Sequence, residues 1–195
     1  MSLPRTLLAI FTATYIAVAA MYFASVGNTE FLGYIGAVSV LLLLVACTLH
    51  WTCFPDWLLW LLSVLMLLHI LGGGLIVNGD VLYNYVPFPL PNPTGLTFIK
   101  VDQIVHTFGS AVAALFVYSF LRRKTDFGWV SIVLITVLAA CGVGALNEVI
   151  EFMATISVSD VNVGGYYNTA VDLVVNLVGA IIGTVVGLKF WPRST

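Results

Sequence analysis

The sequence predicts an all-α fold, a polytopic transmembrane helical bundle of six spans with both termini on the cytoplasmic side. Three observations lead there. The chain is 61% hydrophobic and only 8% charged, with a mean hydropathy of +1.07, whereas soluble domains carry about 25% charged residues. Apolar windows of roughly 20 residues, each enough to cross a ~30 Å hydrocarbon core, recur along the chain. No barrel-like alternation accompanies them, and backbone groups in lipid must be satisfied internally, so the spans are helices.

The spans fall at about 6–26, 31–50, 56–77, 101–121, 128–153 and 168–190, within one integral membrane domain covering 1–195. The first lies in MSLPRTLLAIFTATYIAVAAMYFASVG, which carries one basic residue, Arg5, and small residues near its end. That is how a secretory signal begins, but an apolar run of about 20 residues exceeds a usual signal core. A retained span is expected, with a cleaved signal as the alternative. Orientation follows from Arg5, Lys100, Arg122, Arg123, Lys124, Lys189 and Arg193: with both termini inside, only Lys100 lies outside. This positive-inside pattern predicts a multi-pass protein of the inner (cytoplasmic) cell membrane.

Two outer connections are longer than a turn requires. Asn78 to Phe98 has proline at positions 87, 89, 91 and 93, which excludes helix and favours a stiff, extended backbone. The reading is a rigid connector, with a lid over the outer mouth as the functional alternative. Thr155 to Tyr167 contains Gly164-Gly165-Tyr166-Tyr167. Of the three cysteines, Cys47 and Cys141 sit in apolar runs and Cys53 in a short connector, with no metal or disulfide spacing, so packing is their expected role. A net charge of −2 argues neither for nucleic-acid binding nor for strong attraction to anionic lipid.

The ionisable residues inside the spans carry the functional argument. Span three has His69, span four Asp102 and His106, span five Glu148 and Glu151, and span six Asp172 with Asn176 beside it. At 1.5 Å per residue, His69 lies ~12 Å below the outer end of its span, His106 and Glu148 ~8 Å, Asp172 ~6 Å and Asn176 ~12 Å. Four helices running in opposite directions thus bring polar groups to one layer, in the half facing the periplasm or the exterior. At 100° per residue, Asp102, His106 and Gly109 share a face, as do Asp172, Asn176, Gly179 and Gly183, while Gly144 backs Glu148 and Glu151. Gly179, Gly183 and Gly187 also form a small-xxx-small spacing, whose plain use is close helix packing. Asn147, Asn168 and Tyr83 complete the candidate polar pocket.

Intramembrane ionisable residues are functional candidates by default, against the plain alternative of a hydrogen-bond network that ties helices together. Four carboxylates and two imidazoles cannot all be ionised in low dielectric without compensation. Either a cation neutralises them or they share protons as a relay. Asp102 and His106 at i, i+4, and Glu148 and Glu151 at i, i+3, can each converge on one metal, with His69 and Asp172 closing the shell and Asn176 supporting it. Mixed imidazole and carboxylate ligands suit Zn²⁺, Mn²⁺ or Fe²⁺, and carboxylates alone Mg²⁺ or Ca²⁺. A metal with an open position could activate water near the outer leaflet, with Glu148 and Glu151 as candidate acid and base. The expectation is a metal-dependent hydrolase or transferase acting on, or recognising, a lipid, lipid-linked or envelope substrate. A small proton- or ion-coupled transporter is the second reading, disfavoured because the inner halves of the spans hold few polar residues beyond Ser63 and Ser119. A scaffold without chemistry is the third.

The series LHILGG, DQIVHTFG, NEVIEF and YYNTAVDLVVNLVGAIIG, over roughly residues 65–185, resembles the YjdF-like group of bacterial and archaeal inner-membrane proteins of unknown function, relatives of the VanZ-like proteins linked to glycopeptide-antibiotic tolerance. The resemblance implies functional roles for His69, Asp102, His106, Glu148, Glu151, Asp172, Asn176 and Gly179, and no particular reaction. Many members carry a further Asp just before the last span. Here Asn168 stands in that place, which removes one charged ligand and weakens the case for a two-metal site.

Overall fold

A computed structural model describes residues 3–89, 99–157 and 165–191. Among them are six α-helices long and apolar enough to cross a membrane: α1 (Leu3–Ser25), α2 (Thr29–Thr52), α3 (Asp56–Gly74), α4 (Val101–Lys124), α5 (Trp129–Ser157) and α6 (Tyr166–Phe190). The chain divides into two compact units, residues 1–82 and 83–195.

The first unit holds α1, α2 and α3. Gly27, at φ +70°, and Asn28 turn the chain between α1 and α2, and the Asn28 side chain accepts from the Phe31 N–H to cap α2. Phe31 stacks on Phe23 of α1 with centroids 4.9 Å apart. It fills the space beside Gly73 of α3, where a Cβ would fall inside its ring. Polar contacts tie α1 to α3: Arg5 Nε donates to Asp56 Oδ1 at 2.6 Å, Thr12 and Ser63 hydroxyls meet at 2.7 Å, and Tyr15 donates to the Ser63 carbonyl at 3.0 Å.

The third helix stops at Gly74, three residues before the end read from hydropathy. Beyond it, β1 (Ile76–Val77) pairs antiparallel with β2 (Asp80–Val81). The two residues between them, Asn78 and Gly79, have φ of +56° and +87°, the left-handed pair that closes a two-residue hairpin. Of the proline run, Pro87 and Pro89 lie in irregular backbone, whereas Pro91 and Pro93 lie outside the described residues. The outer connection expected from Thr155 begins later, because α5 stays helical to Ser157; its residues 158–164 are also outside.

The second unit holds α4, α5 and α6. Glycines set how closely α6 approaches α4. A Cβ on Gly179 would meet the Thr107 carbonyl oxygen, one on Gly183 the Ala111 carbonyl oxygen, and one on Gly187 the Tyr118 ring. Backbone lies against backbone at two successive turns, the approach that small residues permit in lipid. Ala114, Ala140 and Ala180, one from each helix and each 0% exposed, then pack into a continuous apolar layer. Outward from the helices, large apolar side chains such as Leu138, Leu146, Val174 and Val185 are exposed, as lipid-facing positions are.

Candidate functional site

The site is built by α4, α5 and α6 around His106, whose side chain is 8% exposed. Its Nε2 lies 3.5 Å from Asp102 Oδ1 and 3.9 Å from Glu151 Oε1, and its Nδ1 lies 3.5 Å from Glu148 Oε1. The helical repeat explains two of these groupings. Asp102 precedes His106 by one turn on α4, and Glu148 and Glu151 are one turn apart on α5. Two sets of ligand atoms lie within 4.8 Å of one another, Asp102–His106–Asp172 and His106–Glu148–Glu151. They share the imidazole.

The two halves differ in how their carboxylates are satisfied. On the aspartate side, Gln103 Nε2 donates to Asp172 Oδ1 at 3.0 Å and approaches Asn168 Oδ1 at 3.4 Å and Asp102 Oδ2 at 3.5 Å. Asn168 Nδ2 donates to Asp172 Oδ2 at 2.5 Å and to Asp102 Oδ2 at 3.2 Å. Two amides therefore hold two acids. The Gln103 amide is oriented by the helix itself, since its Oε1 accepts from the Lys100 backbone N–H at 2.8 Å and so caps the start of α4.

On the glutamate side, Asn147 Nδ2 donates to Glu151 Oε1 at 2.7 Å. Glu148 is 7% exposed, and neither of its carboxyl oxygens has a hydrogen-bond partner among the described residues; His106 Nδ1 stands 3.5 Å from Oε1 without forming one. A buried carboxylate without donors is costly. His106 lies within 3.9 Å of three of these acids, Asp102, Glu148 and Glu151.

Deeper along the helices, Ser110 Oγ donates to Asn176 Oδ1 at 2.7 Å, while Asn176 Nδ2 is buried without a partner. Asn176 fits because Gly144 of α5 faces it: a Cβ there would stand 2.6 Å from the amide carbon. The apolar alanine layer follows. Ala114, Ala140 and Ala180 each lie eight residues from His106, Glu148 and Asp172 along their helices, ~12 Å further in.

The structure thus gathers Asp102, His106, Glu148, Glu151 and Asp172, with Asn147 and Asn168 bonded to them and Asn176 below. Gly109 is half-buried on α4. Tyr83 is half-buried in a 3-10 turn, Leu82–Asn84. His69 belongs to the first unit, on α3, where Tyr34 meets its ring edge-on with centroids 5.9 Å apart. Gln103 and Ser110, 3% and 4% exposed, were not among the sequence candidates. An uncharged polar residue in an apolar span beside Asp102 is the signal that would have found Gln103.

Residues 5–193, nearly the whole chain, match the family of predicted membrane proteins designated DUF2238. No curated protein and no solved structure matches.

Proposed function

We propose that this chain, which belongs to the DUF2238 family of membrane proteins, binds a divalent cation at His106 and uses it to act on, or recognise, a lipid or cell-envelope substrate. The observation that carries the reading is Glu148: a buried carboxylate, both oxygens without donors, beside an imidazole and a second glutamate. A cation compensates such a group where no protein donor does. Imidazole with carboxylates favours Zn²⁺, Mn²⁺ or Fe²⁺ over Mg²⁺, and an ion with an open position polarises a carbonyl or phosphoryl oxygen or activates water. Such an activity would be that of a hydrolase or transferase, with Glu148 and Glu151 holding the ion or passing protons. The Lys and Arg distribution supports a site opening to the periplasmic or extracellular side of the inner membrane. A site at that depth, near the outer leaflet, supports a lipid or envelope substrate.

Metal analysis of protein purified in detergent after supplementation with Zn²⁺, Mn²⁺, Fe²⁺ or Mg²⁺ tests this. Near-stoichiometric metal in the wild type, lost in His106→Ala, is expected; substoichiometric metal in the wild type overturns the reading.

One observation favours a proton- or ion-coupled transporter instead. Ser119, Thr136 and Thr184 are buried in α4, α5 and α6, and Thr136 Oγ1 has no partner among the described residues. They form a second polar layer ~18–20 Å along the helices from the site. The alanine layer lies between the two, which places this reading second. Proton or cation flux in liposomes that Glu148→Gln abolishes would bring it forward, and no flux across a range of pH removes it.

A further inference from the structure

We infer that the site holds a single ion, on the Nδ1 side of His106 with Glu148 and Glu151, and that Asp102, Gln103, Asn168 and Asp172 form a clamp that positions the imidazole without touching the ion. The inference rests on the cation reading above and assigns roles within it.

The argument begins with the ring. The two triads share His106, and a neutral imidazole has one lone-pair nitrogen to offer a metal while the other carries the proton. Both triads cannot be filled through it at once. The choice falls to the carboxylates. Asp172 accepts an amide N–H on each oxygen, and Asp102 Oδ2 accepts from Asn168. Among the described residues Glu148 accepts none, and Glu151 accepts only on Oε1, from Asn147. The oxygens still wanting a positive partner belong to the glutamates: Glu148 Oε1 stands 3.5 Å from Nδ1, and Glu151 Oε1, 3.9 Å from Nε2, lies in the same triad of ligand atoms within 4.8 Å of one another.

Charge allows this placement. A divalent ion with Glu148 and Glu151 ionised and His106 neutral sums to zero (+2 − 1 − 1), the form that costs least to bury. A divalent ion with the two aspartates would balance equally, so the choice between the triads rests on the amide donors that the aspartates already have. With Nδ1 on the ion, Nε2–H faces Asp102 Oδ1 at 3.5 Å, the carboxylate–histidine–metal relay that fixes ring orientation and raises ligand basicity. Asp102 can serve because Asn168 anchors its other oxygen, and Asn168 is in turn shared with Asp172 and Gln103. As a donor Asn168 holds both aspartates, where an acid would repel them. Three protein ligands leave open positions on the ion, as reactive sites do.

The test is metal stoichiometry and affinity of the full chain in detergent, using Zn²⁺ and Mn²⁺ as probes. Wild type is expected to hold one ion, and Glu148→Gln and Glu151→Gln less than about a tenth of that. Asp172→Asn and Asp102→Asn should keep one ion with affinity about 10–100-fold weaker, the usual effect of removing a supporting partner. Two ions in wild type, or metal lost in Asp172→Asn and kept in Glu148→Gln, overturns the inference while leaving the cation reading standing. No metal in wild type overturns the cation reading itself. A measurement without site variants guards against misfolding. In ¹⁵N-histidine protein loaded with Zn²⁺, the His106 Nδ1 resonance should take the metal-bound shift and Nε2 remain protonated. The reverse pattern overturns the inference.

Discussion

The side-chain amide of Gln103 donates from Nε2 to Asp172 Oδ1 at 3.0 Å while its Oε1 accepts from the Lys100 backbone N–H at 2.8 Å. One residue therefore both caps α4 and ties it to α6. Gln103→Leu keeps the bulk but strands a backbone N–H and removes a donor from a buried acid, a loss of about 1–3 kcal/mol. Unfolding of the detergent-solubilised protein should show it. Gln103→Glu retains the cap but sets an acid against Asp172, and is expected to lower the midpoint at least as far.

Glu148→Gln separates binding from stability. Without metal, the wild type buries a carboxylate that has no donor, so Glu148→Gln is expected to be at least as stable as the wild type. With metal at about 100 times its dissociation constant, the wild type gains about 2.7 kcal/mol and its melting temperature rises, while the variant does not respond. A scaffold without ligand predicts the opposite pair of results: a destabilised variant and no metal effect in either protein. Melting curves with and without Zn²⁺ distinguish them.

Gly179 and Gly183 are predicted to be intolerant of any side chain. Their Cβ atoms would run into backbone carbonyls of Thr107 and Ala111, which cannot rotate away. Gly179→Ala and Gly183→Ala should each cost about 1–3 kcal/mol as α6 is pushed from α4. Gly142 of α5, with nothing within 4 Å of its Cβ position, is the control: Gly142→Ala should be neutral or stabilising by up to about 1 kcal/mol. Equal behaviour of the three variants in thermal unfolding would refute the packing argument.

The Lys and Arg distribution predicts topology. With Arg122, Arg123 and Lys124 inside, a cysteine introduced as Thr125→Cys should react with an impermeant maleimide only after the cells are opened. Asp80→Cys, in the hairpin, should react in intact cells. In a background with Cys47, Cys53 and Cys141 replaced by serine, the opposite labelling would invert the orientation.

The helices were legible because lipid demands about 20 apolar residues in succession, and little in the chain competes with that signal. The end of α3 was not, since hydropathy continues through Leu75, Ile76 and Val77 while the Asn78-Gly79 turn draws the last two into a hairpin. Asp102 with His106, and Glu148 with Glu151, could be paired from spacing alone because one helical turn joins each pair. Which of these acids receive donors could not, because the donors Gln103 and Asn168 are uncharged and Asn168 comes from another helix. The reach of Gly144 to Asn176 is likewise a contact between α5 and α6, beyond any local pattern.

The alanine layer of Ala114, Ala140 and Ala180 has a consequence for where chemistry can draw its reagents. At that level these three residues offer only methyl groups, with Ala113, Val137 and the Cys141 side chain packed against them. The layer separates the His106 site from the deeper hydroxyls of Ser119, Thr136 and Thr184. A hydrated ion crossing that layer would shed water with no oxygen from these three side chains to replace it.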